Sequence, residues 1–378
     1  MPWKETTTMS LRTEFIHLAK IEESNISRLC RRFGISRKTG YKWLRRYQEG
    51  GESSLADRSR RPHRSPRRSP EEIEKTVIDA RQEHPAWGGR KIKAYLERKE
   101  QRRLPSASTI TEILRRNDWI DAEEALKHRP FQRFEMERPN QLWQMDFKGQ
   151  FALQEGGYCH PLTILDDHSR FLVGLKACSN ETYKTVQDQL SGIFRSYGLP
   201  ERMLMDNGSP WGDDADSPNT ILTAWLIRLG VQISHGHPYH PQTQGKDERL
   251  HRTLKVELLS RYALANLPQC QMHFDRWRDD YNYERPHEAL EMQPPISRYQ
   301  PSPRTFPEVL PPILYDYRDI IRKVDESGKI YFRNRIFRVG KAFRHNPVAL
   351  RPMQSDGDYE VIYCHHKVAQ ISLREDNC

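Results

Sequence analysis

The chain has 378 residues, 36% hydrophobic and 30% charged. That balance excludes a wholly disordered polymer and, at about 150 residues per domain, leaves room for two or three domains. No apolar run nears the ~18 residues that cross a bilayer, and no apolar signal segment opens the chain, so a secreted or membrane protein is not expected. Cys30, Cys159, Cys178, Cys270, Cys364 and Cys378 are scattered with no CxxC pair. This fits a reducing cytoplasm rather than a disulfide framework or a structural zinc site.

The formal net charge of +10 is unevenly spread. Residues 1–70 hold 17 Lys+Arg against 7 Asp+Glu, residues 71–141 hold 15 against 14, and residues 142–378 hold 29 against 30. A basic head on a neutral body points to a polyanion partner, most simply nucleic acid; a soluble protein with a cationic tail is the plainer alternative.

In chain order, Ile26, Leu29, Cys30 and Phe33 recur at helical spacing. Gly34-Ile35 makes a turn, and Ser36 caps a second helix over Arg37–Tyr47. This is a helix-turn-helix pattern. Its second helix would bury Gly40 and Leu44 and present Arg37, Lys38, Tyr41, Lys42 and Arg45 to phosphates and base edges. The thirteen residues Arg58–Pro70 hold six arginines and three prolines, so no regular helix is expected there. Arg60, Arg61 and Arg64 would track a DNA backbone or lie in a minor groove, or simply solvate a linker. Residues 71–120 read as a second helical unit around HPAWGGRKI, and 121–140 as a linker.

From Leu142 the pattern alternates. Trp143, Met145 and Phe147 share one strand face, and Gln144, Asp146 and Lys148 the other. Further strands over Tyr158–Leu165, Phe171–Lys176, Arg202–Met205 and Val231–Ser234 mix with helices near Glu181–Tyr197 and Thr220–Leu229. A long helix from about Thr243 carries Leu250, Leu254 and Leu258. Such a pattern predicts an α/β layer on a mixed sheet. Eight prolines between Pro286 and Pro312 mark a second linker. Beyond it, six short strand-like runs predict a small β-barrel, and its basic stretch, 315–351, is a further candidate for DNA contact.

Three acids stand out by position: Asp146 on the polar strand face, Asp206 at a strand end before Asn207-Gly208, and Glu248 on the first turns of the long helix. Hard divalent cations take carboxylate oxygens, and two such ions about 3.5–4 Å apart drive in-line displacement at phosphorus. The stretches LWQMDFKG, ILDDHSRFLVG, MDNGSPW and HPQTQGKDERLHRTLK occur in that order. With the helix-turn-helix head and the basic tail, they resemble the DDE transposases. These share an integrase core with retroviral integrases, and the likeness is closest to insertion-sequence transposases of the 481 type.

The resemblance covers nearly the whole chain and implies a ribonuclease-H-like core. Asp146 would bridge two Mg²⁺ ions, with Mn²⁺ as a substitute, while Asp206 and Glu248 would each hold one. The 42 positions from Asp206 to Glu248 exceed the superfamily's usual spacing, and the acidic run Gly212–Asn219 is the expected surface insert. Asp247 and Glu257 are rivals for the third acid, but Glu248 matches the motif. Asp166 and Asp167 are expected to stabilise their turn. Lys148 either reaches the scissile phosphate or is a solvated lysine. Lys246, Arg249 and Arg252 would hold DNA backbone beside Glu248. Trp211 either stacks on a base or packs. His235, His237 and His240 lack the companions of a zinc site.

The expected organisation is a helix-turn-helix domain (1–57), a basic Arg/Pro linker (58–70), a second helical DNA-binding domain (71–120) and a linker (121–140). A ribonuclease-H-like catalytic core (141–285), a Pro-rich linker (286–312) and a small β-barrel (313–378) follow. The resemblance implies a cytoplasmic, nucleoid-associated bacterial enzyme that cuts and rejoins double-stranded DNA at terminal inverted repeats. It would act on target DNA as a homodimer or larger assembly. A catalytically silent DNA-binding regulator, or a ribonuclease acting on RNA–DNA hybrids, are the alternatives.

Overall fold

The computed structural model describes residues 8–21, 24–57, 68–120, 135–206, 208–211, 219–235 and 245–374. The chain divides into two compact units, Met1–Arg68 and Ser69–Cys378. Among the described residues no helix is long and apolar enough to cross a membrane.

In the first unit, α1 (Thr8–Ala19), α2 (Ile26–Arg32) and α3 (Arg37–Gly50) enclose Phe15, Ile16, Cys30, Trp43 and Leu55. Asn25 caps α2 by accepting from Arg28 N, and Ser36 caps α3 by accepting from Thr39 N. A Cβ on Gly40 would stand 2.5 Å from Cys30 Sγ, so only glycine lets α3 cross α2 this closely. Trp43, rather than the expected Leu44, fills the centre, its ring lying 4.0 Å from the Arg12 guanidinium and 4.9 Å from that of Arg46. One residue is a 100° turn of the helix, and the larger ring takes the buried side.

The second unit begins with α4 (Glu71–Glu83), α5 (Gly89–Glu100) and α6 (Ala107–Arg116), packed around Val77, Trp87, Ile92, Ile110 and Ile113. Ser106 caps α6 by accepting from Thr109 N. These helices dock on the body of the unit through charge: Arg98 donates to the Glu284 carbonyl at 2.5 Å, and Arg90 pairs with Glu288 at 3.0 Å.

A mixed sheet follows, from β1 (Leu142–Phe147), β2 (Phe151–Ala152), β3 (Tyr158–Asp166), β4 (Leu172–Cys178), β5 (Arg202–Met205) and β6 (Gln232–His235). Its order is β2-β3-β1-β5-β6, with β4 also on β3. The β1–β3 and β3–β4 pairs are antiparallel, while β1–β5 and β5–β6 are parallel. The alternation read in the sequence sets the two faces. Trp143 and Met145 join the core beneath α7 (Tyr183–Tyr197) and α8 (Ile221–Arg228). The opposite face is covered by α9 (Gly245–Leu254) and α10 (Leu267–Asp279), through Leu250, Leu254, Phe274 and Trp277.

Two expectations fail here. The segment 286–312 is no free linker: Tyr299 stacks on Phe171 at 4.0 Å and 5°, Ser302 N donates to Tyr197 O, and Arg304 donates to Pro200 O and Gly230 O. Proline excludes a helix, not packing, and this strap seals the core. The C-terminal strands also do not close into a barrel. β7 (Ile320–Lys323), β10 (Pro347–Pro352), β11 (Asp358–Tyr363) and β12 (His366–Ser372) form an open sheet of order β12-β11-β10-β7, while β8 (Lys329–Phe332) and β9 (Arg335–Arg338) pair only with each other. Both sheets close instead over a shared apolar core that includes Ala224 and Ile227 of α8.

Candidate active site

The parallel pairing of β1 with β5 builds the site. Gln144 lies opposite Leu204. The pairing ends there; Asp146 near the end of β1 and Asp206, the first residue after β5, each follow two residues later, close enough for the Asp206 charge to act on Asp146. Asp146 is half-buried and Asp206 exposed. Desolvation pushes the Asp146 carboxyl up to about 6, with the Asp206 charge adding to the rise. Two carboxylates that repel each other on one face form a hard-oxygen donor set, and a divalent cation relieves that repulsion. The residues fit such an ion. Among the described residues, however, no three His, Cys, Asp or Glu side chains stand close enough together to hold one.

The third acid is divided between neighbours on the first turn of α9. Glu248 is exposed, whereas Asp247 is fully buried, with Oδ1 lacking a hydrogen-bond partner. Burial, and then the charges of Asp146 and Asp167, raise the Asp247 carboxyl well above the usual range. Inward-facing Asp247, Leu250 and Leu254 set the phase of the helix, and Glu248, Arg249, Arg252 and Lys255 take the outer side. The other rival, Glu257, is committed elsewhere: Arg285 Nε donates to it at 3.1 Å and Trp277 Nε1 at 3.2 Å.

Asp166 and Asp167 are structural. Asp166 accepts from Asn140 N at 2.7 Å, Ser169 N at 2.8 Å and Ser169 Oγ at 2.5 Å. Asp167 accepts from Met136 N at 2.9 Å and Gln144 Nε2 at 2.7 Å. Lys246, expected at DNA, is instead turned inward onto Asp167, since its stem lies along the buried start of α9. Trp211 packs, stacked on Phe147 at 5.6 Å. His235 Nδ1 is bonded to Asp206 O at 3.1 Å, while His237 and His240 lie outside the described residues.

Around the carboxylate pair the surface is cationic. Lys148 is half-buried, and burial and Lys255 lower its pKa. Lys148, Arg249, Arg252 and Lys255 make no ion pair among the described residues. On the separate first unit Arg37, Lys38, Tyr41, Lys42 and Arg45 are all exposed along α3. Arg60, Arg61 and Arg64, the acidic run 212–218 and Asn207 lie outside the described residues.

Four residues that sequence reasoning missed also meet here. Thr163, opposite Asp146 in the β1–β3 register, donates from Oγ1 to Asp146 O at 3.0 Å and bonds His251 Nε2 at 2.8 Å. His251 Nδ1 lies 4.0 Å from Asp146 Oδ2. Burial, aided by Lys148, lowers the imidazole to about 4, so it is neutral near pH 7. Glu181, bonded to His160 at 2.8 Å, adds charge to Asp146, and Lys255 adds the cation. The signal for His251 was its place one helical turn beyond Asp247.

Comparison with known proteins agrees with this architecture. Residues 136–241 and 229–295 each match an integrase core domain, and residues 319–378 match the C-terminal domain of the IS481 family transposases. Residues 12–63 match a helix-turn-helix domain and residues 39–114 a homeodomain-like domain. The 31.7 kDa protein of insertion element IS407 from Burkholderia multivorans is 26% identical over 152 residues, 40% of this chain and 52% of its own length. The Gag-Pol polyprotein of feline leukemia virus is 29% identical over 197 residues, 50% of this chain and 11% of the polyprotein. The chain thus spans about half the length of the first relative and a small part of the second. Among solved structures, the simian T-cell lymphotropic virus intasome aligns at a TM-score of 0.39 and 14% identity, covering 79% of this chain and 96% of that chain. The HTLV-2 integrase catalytic core domain in complex with magnesium aligns at 0.34 and 14%, covering 43% and 99%.

Fold, carboxylate pair and domain matches define an integrase-core protein carrying helix-turn-helix units. Its C-terminal residues narrow the likeness, since they match the C-terminal domain of the IS481 family transposases.

Proposed function

We propose that this chain binds the terminal inverted repeats of an insertion sequence and catalyses metal-dependent cleavage and strand transfer of double-stranded DNA. The observation that supports this reading is the parallel β1–β5 pairing, which leaves Asp146 and Asp206 at neighbouring strand ends, close enough for the Asp206 charge to act on Asp146. Asp146 and Asp206 would hold the metal, with Glu248 as the third ligand by its motif position. Two Mg²⁺ ions, or Mn²⁺ in their place, would supply activation of the attacking oxygen and stabilisation of the leaving one.

The chain's own residues do the positioning. Lys148 and Lys255 neutralise the scissile phosphate from either side of the carboxylates, and Arg249 and Arg252 hold the backbone along the outer face of α9. Helix α3 reads the repeat ends with Arg37, Lys38, Tyr41, Lys42 and Arg45, and Arg60, Arg61 and Arg64 follow the phosphates. Joining two ends calls for at least a homodimer, acting on nucleoid DNA in the bacterial cytoplasm.

A second reading, a DNA-binding regulator without chemistry, draws on the lack of a closed three-ligand cluster among the described residues. Cleavage of terminal-repeat DNA with Mg²⁺ separates the two. The wild type cuts and Asp146→Asn does not while binding equally; if neither cuts, the regulator stands.

A further inference from the structure

We infer that Asp167, through its buried pair with Lys246, fixes the first turn of α9 against β1 and so sets where Glu248 stands relative to Asp146. The inference rests on the metal-dependent reading above, in which Glu248 is the third ligand, and adds a positioning residue to it.

The three acids sit on elements that are held together in different ways. Asp146 lies on β1 and Asp206 just beyond β5, and the backbones of those two strands pair directly. Glu248 lies on α9, which packs on the sheet through Leu250 and Leu254. Apolar burial is non-directional, so the leucines cover one side of α9 without fixing how far the helix is turned or slid. A turn by one residue is about 100° and would carry Glu248 elsewhere. Among the described residues no three metal-binding side chains close on one ion, so the position of this first turn decides whether Glu248 can join the pair.

The directional contacts at this end of α9 come from Lys246. Its Nζ donates to the Asp167 carboxylate and, at 3.3 Å, to the Asp167 carbonyl. The side chain of Asp167 is 0% exposed and that of Lys246 17%. The same carboxylate accepts from Gln144 Nε2 at 2.7 Å and from Met136 N at 2.9 Å, while Asp167 N donates to Leu142 O at 3.0 Å. Gln144 stands two residues before Asp146 on one strand face, and Lys246 stands two residues before Glu248. One carboxylate thus joins the strand that carries the first acid to the helical turn that carries the third.

Stabilising its own turn does not account for Asp167. Asp166 already takes the donors of that turn, Ser169 N and Ser169 Oγ, and Asp167 reaches three elements outside it. Nor is stability the main return on a buried ion pair, which an apolar pair of similar volume often matches; its best-attested use is to fix a register. Side chains that orient the ligands of a metal centre set its ion affinity through geometry.

The test is Mn²⁺ binding to the full-length chain without DNA, read from the free-ion electron paramagnetic resonance signal, alongside cutting of terminal-repeat DNA over a Mg²⁺ series. Lys246→Met keeps the stem of the side chain and leaves Asp167 two of its donors. It is expected to weaken Mn²⁺ affinity by ~10-fold and to raise the Mg²⁺ needed for half-maximal cutting by a similar factor. The rate at saturating Mg²⁺ should stay within about 3-fold of the wild type, and DNA affinity and its salt slope should not change. Asp167→Asn should act alike, and the double variant should be no worse than either single one, because all three remove one contact. If the Asp167 variants do not fold, Lys246→Met carries the test alone. Unchanged metal affinity in Lys246→Met overturns the assignment, and so do additive losses in the double variant. A salt slope lower by about one unit at normal Mn²⁺ affinity would place Lys246 on the DNA backbone and also overturn it. A wild type that binds no Mn²⁺ and cuts at no Mg²⁺ concentration overturns the metal-dependent reading, and the assignment falls with it.

Discussion

Arg285 Nε donates to both carboxylate oxygens of Glu257, at 3.1 and 3.3 Å, and both side chains are about nine-tenths buried. The pair joins the end of α9 to the turn after α10, with Trp277 Nε1 as a third partner. Breaking a buried pair from one side leaves an uncompensated charge and costs about 3–5 kcal/mol. Glu257→Ala is therefore expected to lower unfolding stability by that amount in urea titration and to leave divalent-ion affinity unchanged. A normal urea midpoint would show that Glu257 is not structural.

Lys91 is the pH-sensitive joint between α5 and the body of the unit. Burial, and then Arg285, lower its pKa from 10.5 to about 8, partly offset by Glu257 and Glu288, with Arg249 opposing again. Its folded pKa lies below its unfolded one, so the unfolded state binds more protons between about pH 8 and 10.5. Stability from this group accordingly rises with pH across that window, and below it the full cost of a charged Lys91 applies. Lys91→Met should raise stability at pH 7, on the order of 1–3 kcal/mol, and remove the alkaline rise. Thermal melts from pH 7 to 10.5 measure both; an unchanged rise in the variant would assign it to another group.

The first unit is compact in its own right and carries the exposed α3 residues. Deleting residues 1–70 is expected to abolish sequence-specific footprints on terminal-repeat DNA. Arg45→Ala should reduce the slope of log affinity against log salt by about one unit. A truncated chain that still footprints would move recognition to the second helical unit.

The acids on α9 make a paired prediction. Glu248→Gln should abolish metal-dependent cutting with little change in melting temperature, because Glu248 is exposed. Asp247→Asn replaces a buried carboxyl that has an orphan oxygen, so it should preserve or raise stability and leave cutting largely intact. The reverse pattern of activities would transfer the third ligand to Asp247.

Much of this was readable from the chain alone. The two-residue period of 142–148 sets the faces of β1, and Asp206 falls where β5 ends. Ser36 announces its helix because a hydroxyl before an apolar period has one favoured use, whereas Ser106 and Ser108 are equal candidates in the sequence and only the structure shows Ser106 as the cap of α6. What was not readable depends on tertiary choices. Lys246 turns inward because Asp167, 79 residues earlier, needs a counter-charge. Prolines at 286–312 hide a packed strap because the partners of Tyr299 and Arg304 are remote in sequence. Strand-like runs at the C-terminus give pairing potential but not closure, and β8 and β9 satisfy each other before any barrel forms. His251 lies within the stretch HPQTQGKDERLHRTLK, yet its place beside Asp146 shows only when the β1–β3 register brings Thr163 opposite Asp146.

The most direct measurement is single-turnover cleavage of terminal-repeat DNA already bound to the protein, with Mg²⁺ added to start the reaction, comparing the wild type with Asp206→Asn. The account predicts a rate lower by a factor of ~10² or more at unchanged DNA affinity. Cutting by Asp206→Asn at the wild-type rate would contradict it.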